Sequence, residues 1–166
     1  MESFPDVTNE TTDSREMALI LESAVKFTDL TLDEDIFHFI AQQIQRLNKN
    51  SIVSVCLYDE DACTMQIKDV VGLGKFTESV ARLMGGLPIG RSIALEDSVR
   101  DELLQGKLSE IENGIADLSP DVPKPVWKSV EKLLGVKKAY SMGFVWKGKL
   151  YGNVVIVLPT TSTLCN

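Results

Sequence analysis

The end of the chain constrains the fold most. Ala139 to Trp146 and Lys149 to Leu158 are rich in β-branched and aromatic residues and are separated by Lys147-Gly148, the length of a two-residue hairpin turn. Along the second run Leu150, Gly152, Val154, Ile156 and Leu158 alternate with Tyr151, Asn153, Val155 and Val157, so both faces are largely apolar. Such a hairpin cannot leave either face in water. It calls for an antiparallel sheet covered on both sides, and the preceding residues must furnish the two covers.

Upstream, Met1 to Thr12 is polar and has no hydrophobic period, and reads as a flexible lead-in. Asp13 or Ser14 can cap a helix in which Met17, Ile20, Leu21, Ala24 and Thr28 recur at helical spacing. Thr31-Leu32-Asp33-Glu34 has the form of a capping box, and Phe37, Ile40, Ala41, Ile44 and Leu47 trace the stripe of a second helix. From Ser51 the period changes to two, with Val53, Val55 and Leu57 on one face and Ile52, Ser54, Cys56 and Tyr58 on the other. Asp59-Glu60-Asp61 is a polar turn, and Cys63 to Val71 is a second, less regular strand ending at Gly72-Leu73-Gly74.

A short helix is expected over Lys75 to Met84, a short strand over Arg91 to Leu95, a helix over Asp97 to Gln105 and another strand over Lys107 to Glu112. Ile115 to Val122 reads as a loop. Pro123 and Pro125 suit the first turn of a helix, where a missing amide hydrogen costs nothing, and Val126, Trp127, Val130, Leu133 and Leu134 form its apolar side before Gly135 stops it. The expectation is an α+β fold in the order αα-ββ-α-β-α-β-α-ββ. It has a central antiparallel sheet of about six strands, two N-terminal helices on one face, and short helices and loops over the other. One domain spans 13–158, with 159–166 as a tail.

The chain has 166 residues and a net charge of −7, and residues 1–35 hold ten acidic against two basic side chains. No basic stripe with interleaved aromatics follows, which argues against a nucleic-acid partner. No run approaches the roughly 18 apolar residues of a membrane span, and Met1 to Asp6 lacks the order of a signal peptide, so a cytoplasmic chain without membrane attachment is expected. Cys56, Cys63 and Cys165 form no C-x-x-C pair and accompany one histidine, so neither a disulfide framework nor a metal site is expected.

The sequence resembles GAF domains, particularly those of archaeal multidomain signal-transduction proteins of the histidine-kinase type. The resemblance is carried by Ser54-Val55-Cys56-Leu57-Tyr58-Asp59, Val70-Val71-Gly72-Leu73-Gly74, Pro123-Lys124-Pro125-Val126-Trp127-Lys128, Tyr140-Ser141-Met142-Gly143-Phe144 and Leu150-Tyr151-Gly152-Asn153-Val154-Val155. It covers about residues 14–158. It implies a sheet with a helical layer on one face, a small-ligand pocket under loops and short helices on the other, and dimerisation through terminal helices.

No catalytic constellation is expected. Gly72-Leu73-Gly74-Lys75 lacks the spacer and the hydroxyl residue of a phosphate loop, and the Asp59-Glu60-Asp61 and Glu96-Asp97 groups read as turn and capping residues. His38 lies one residue off the apolar stripe and shares its side with Gln42 and Gln45, which reads as a solvated helix face. Heme ligation through Cys and His, known in some archaeal relatives, stays open as a cofactor, although no C-x-x-C-H motif is present.

The pocket candidates are Ser54, Cys56 and Tyr58 on one strand, with Tyr140, Met142 and Phe144 on another. These residue types serve a ligand cavity and a plain core equally. Three functions follow: a non-catalytic sensor signalling through its N-terminal helix, a ligand-free dimerisation or protein-interaction module using Met17, Ile20, Leu21 and Ala24, or a thiol reductase using Cys56 or Cys63.

Overall fold

The computed structural model describes residues 15–22, 24–25, 35–118 and 120–160. The expected lead-in, the Asp13 or Ser14 cap, Thr28, the Thr31 to Glu34 capping box and the end of the tail with Cys165 lie outside the described residues. The chain divides into two units, Met1–Ile36 and Phe37–Asn166. In the first, residues 15–22 and 24–25 are helical (α1), with Met17, Ile20, Leu21 and Ala24 exposed.

The second unit is built on one six-stranded antiparallel sheet. After helix α2 (Ile36–Leu47) come β1 (Ile52–Asp59), β2 (Thr64–Val71), α3 (Thr77–Met84), β3 (Ser92–Ala94), α4 (Asp97–Leu103), β4 (Ser109–Glu110), α5 (Lys124–Leu134), β5 (Val136–Trp146) and β6 (Lys149–Pro159). The strands lie side by side as β3-β2-β1-β6-β5-β4. No helix among the described residues is long and apolar enough to cross a membrane.

The terminal hairpin forms as its sequence demands. Lys147 and Gly148 both take positive φ, 49° and 74°, the pattern of a type I′ turn whose twist matches that of the strands. Pro159, expected to begin the tail, instead pairs with Val136, and the Thr160 amide donates to the Gly135 carbonyl at 2.8 Å. β4 shrinks to Ser109–Glu110 from the longer strand expected, and Ile115–Leu118 makes a 3-10 turn within the expected loop.

The two faces of the sheet are covered differently. Val53 and Val55 of β1 and Val154, Ile156 and Leu158 of β6 are buried with Ala41, and Phe37, Ile40 and Ile44 of α2 close over them. Burying each such Val, Leu or Ile side chain contributes about 1.5–3 kcal/mol. Leu47, counted in the same stripe, is exposed because α2 ends beyond the sheet contact. On the opposite face Ile52, Ala139 and Val157 pack with Val80 and Met84 of α3 and with Trp127, Val130 and Leu134 of α5. Cys56, Met65, Ile67, Ile93 and Leu150 continue that layer toward Leu103 of α4.

Two breaks in register explain the weaker strand patterns. Val55 pairs with Asp69 and Cys56 with Ile67, so Lys68 is the extra residue of a bulge in β2. Lys68 and Asp69 therefore both serve the α2 side. The Lys68 ammonium sits 5.4 Å from the Phe37 ring centre, and His38 Nδ1 meets Asp69 Oδ2 at 2.7 Å. A second break near Tyr151, between the Phe144–Gly152 and Val145–Leu150 pairs, turns Leu150 to the α3–α5 side although Val154 and Ile156 face α2.

His38 corrects the expectation of a merely solvated residue. Its side chain is 49% exposed, yet its ring bridges α2 to a carboxylate that is 11% exposed. His38 Nε2 lies 2.8 Å from Gln42 Nε2, so the ring is held from both nitrogens, by Gln42 on α2 and by Asp69 on the sheet. The bond satisfies an acidic group that would otherwise be buried alone.

Candidate functional site

A cavity of about 130 Å³ lies between the sheet and the α3–α5 layer. Its floor is the inward parity of three strands: Ile52, Ser54 and Cys56 of β1, Met65, Ile67 and Val70 of β2, and Asn153, Val155 and Val157 of β6. Its roof comes from Val80 and Met84 of α3, Pro88 of the following loop, and Trp127, Val130 and Leu134 of α5. Among the described residues the lining holds no charged side chain. It is an apolar chamber with a few polar groups on its floor, as ligand cavities commonly are.

Those polar groups are Ser54, Cys56 and Asn153. The Ser54 hydroxyl lies 3.8 Å from the Cys56 sulfur. Burial pushes the Cys56 thiol up to about 11, the Ser54 hydrogen bond opposing the shift only in part. A thiol in that state is protonated and inert at neutral pH. Asn153 pairs in register with Cys56 across the β1–β6 ladder and is 5% exposed. Its Nδ2 donates to Ser141 Oγ at 3.3 Å, whereas its Oδ1 accepts from no group.

The candidates read from the sequence separate. Ser54 and Cys56 line the cavity; Tyr58 lies on the same face, half-buried in the cluster around Met65, Ile93 and Leu103. Tyr58 accepts a hydrogen bond from Arg100, which together with Asp97 raises the already high pKa of that guanidinium. Tyr140, Met142 and Phe144 do share one face, but it is the α2 face, packed on the Val53, Val55, Val154 and Ile156 cluster that Phe37, Ile40 and Ile44 also cover. Placing them in the pocket is thereby corrected. The cavity side of β5 instead presents Ala139, Ser141 and Gly143, small residues that let the helical layer approach.

Asn153, Trp127 and Val130 also line the cavity and are not among the pocket candidates read from the sequence. Asn153 had a legible signal, since a lone amide in a strand of Val, Ile and Leu must find a polar partner or a use. Cys56 and His38 sit on opposite faces of the sheet, so they do not converge on one centre.

Cysteine chemistry gives a direct check. Alkylation at pH 8 followed by peptide mapping is expected to modify exposed Cys63 readily and Cys56 at least about 100-fold more slowly, with Cys56 accelerating as pH approaches 11. The sign for stability follows from a raised folded value. The unfolded thiol ionises first, so this group's contribution is complete below about pH 9 and is lost as pH rises from there toward 11. Equal labelling of Cys56 and Cys63 at pH 8 would contradict the burial of Cys56.

No family model matches the chain, and no curated protein matches it. Solved structures do. The chromophore-binding domain of Stigmatella aurantiaca phytochrome P1 is similar over 98% of this chain and 55% of its own, with a TM-score of 0.61 and 12% identity. The phycocyanobilin-bound GAF domain of a cyanobacterial phytochrome is similar over 91% of this chain and 82% of its own, with a TM-score of 0.57 and 15% identity. The GAF domain of a two-component sensor histidine kinase from Bacillus halodurans gives 0.50 at 19% identity, over 79% of this chain and 78% of its own. The chain spans only 52% and 55% of the two Stigmatella structures it matches. At these identities the likeness concerns the fold, and the fold is GAF-like α+β.

Proposed function

We propose that the chain is a non-catalytic regulatory domain of GAF type. It binds a small ligand in the cavity lined by Ser54 and Cys56 and signals through its N-terminal helix within a cytoplasmic signal-transduction protein of the archaeal multidomain kind. The observation that carries the reading is the apolar cavity of about 130 Å³, walled by sheet and helices together. The similar solved domains belong to phytochromes and a sensor histidine kinase, which supports a sensory role. A protonated Cys56 and a His38 held by Asp69 across the sheet weigh against thiol or acid–base catalysis at this cavity.

Native mass spectrometry of the purified chain, paired with thermal melts in a panel of small aromatic compounds, tests this. A ligand present at 100 times its Kd stabilises by about 2.7 kcal/mol, a rise in Tm of several degrees for a domain of this size. Absence of both a retained small molecule and any such rise would defeat the ligand-binding reading. The exposure of Met17, Ile20 and Leu21, 56–60%, together with exposed Ala24, favours a second reading as a dimerisation module, and the same mass spectrum reports it. A ligand-free dimer dissociated by Leu21→Glu supports that alternative; a ligand-free monomer defeats both.

A further inference from the structure

We infer that the cavity selects a neutral ligand of about one aromatic ring that carries a hydrogen-bond donor, a phenol or an arylamine, and that Asn153 Oδ1 receives that donor. The inference rests on the ligand-pocket reading and narrows it.

Three observations converge on that class. The first is size: an apolar protein cavity of roughly 150 Å³ holds benzene, so about 130 Å³ matches a molecule of that order. The second is charge. Among the described residues no Lys, Arg, His, Asp or Glu lines the cavity, so an ionised ligand would meet no counter-charge from them and pay its desolvation. The third is polarity. Asn153 is 5% exposed and held by the bond from its Nδ2 to Ser141, which fixes the amide plane, and its Oδ1 is left as a buried acceptor without a donor.

A buried amide oxygen in a strand otherwise made of Val, Ile and Leu is costly unless something donates to it. The neighbouring polar groups on the floor do not. Ser54 is engaged with the Cys56 sulfur at 3.8 Å, and the Cys56 thiol is at best a weak donor. Asn153 also lies beside Cys56 in the β1–β6 register, and both line the floor. A ring stacked under Trp127 and Val130 with its hydroxyl or amine on Asn153 satisfies the apolar wall and the lone acceptor together.

The test compares phenol with toluene, close in shape and differing in the donor, by calorimetric titration of the intact chain and of Asn153→Leu. In the wild type, phenol is expected to bind; in the variant its affinity relative to toluene is expected to fall about 5- to 10-fold, the worth of one net hydrogen bond. A relative affinity that moves less than twofold, with both compounds still bound, overturns the donor assignment and leaves the ligand-pocket reading intact. Binding of neither compound to the wild-type chain overturns this inference, whereas the ligand-pocket reading itself falls only if the mass spectrum and the melts also show no ligand. Should Asn153→Leu fail to fold, the side-chain amide resonances of Asn153 in the wild type decide: they are expected to shift with phenol and not with toluene. Resonances indifferent to phenol overturn the inference.

Discussion

Gly143→Val is expected to lose about 3 kcal/mol or more of folding stability, measured as a drop in the urea midpoint with an unchanged slope. Gly143 stands in β5 where α4 ends, and a Cβ there would fall on the Leu103 carbonyl, with the Leu103 Cα only 3.1 Å away. The obstacle is backbone, which cannot swing aside as a long side chain would. Either α4 lifts from the sheet and uncovers Leu103 and Cys56, or β5 bends away from β6. Both routes break packing across the core, against a total stability of roughly 5–15 kcal/mol for a native domain. A variant as stable as wild type would mean that α4 does not rest on β5.

Trp127→Ala is expected to cost about 3–5 kcal/mol and to enlarge the cavity. Trp127 is 8% exposed, packs with Val80, Met84 and Val130, and forms part of the roof over Ser54 and Cys56. Its removal deletes much of that roof while the sheet floor stays in place. The second consequence separates this variant from simple destabilisation: naphthalene should raise the Tm of the variant by more than it raises that of the wild type. A loss under 1 kcal/mol would show that α5 does not seal the chamber.

Much of this architecture was legible because periodicity and turn chemistry agreed. The alternation of β1 sorts Val53 and Val55 from Ile52, Ser54 and Cys56 onto the two faces they occupy. The Lys147-Gly148 turn fixes the hairpin, and Pro123 with Pro125 opens α5 at Lys124. β2 was indistinct for a physical reason. The bulge at Lys68 inserts a residue between Ile67 and Val70, so the cavity-facing positions skip a step that strict alternation forbids.

The site was half legible. Parity along β1 gave Ser54 and Cys56, since one strand states its own two faces. Parity along β5 groups Tyr140, Met142 and Phe144 correctly with one another, but nothing within a strand says which cover each face receives. That assignment depends on where the long apolar helix lands, and α2 takes the aromatic side. The α5 roof belongs to the same class of information, because Trp127 meets β1 only through tertiary packing.

The bulge in β2 has a consequence for communication across the sheet. Ile67 and Val70 form cavity wall, and the two residues between them, Lys68 and Asp69, grip Phe37 and His38 of α2 on the far side. The step from cavity wall to outer helix is thus one peptide bond of a single strand. The Asp69 carboxylate is 11% exposed, so parting it from His38 would leave it buried without its ion-pair partner. The bulge therefore acts as a rivet, fastening α2 to the strand that walls the cavity.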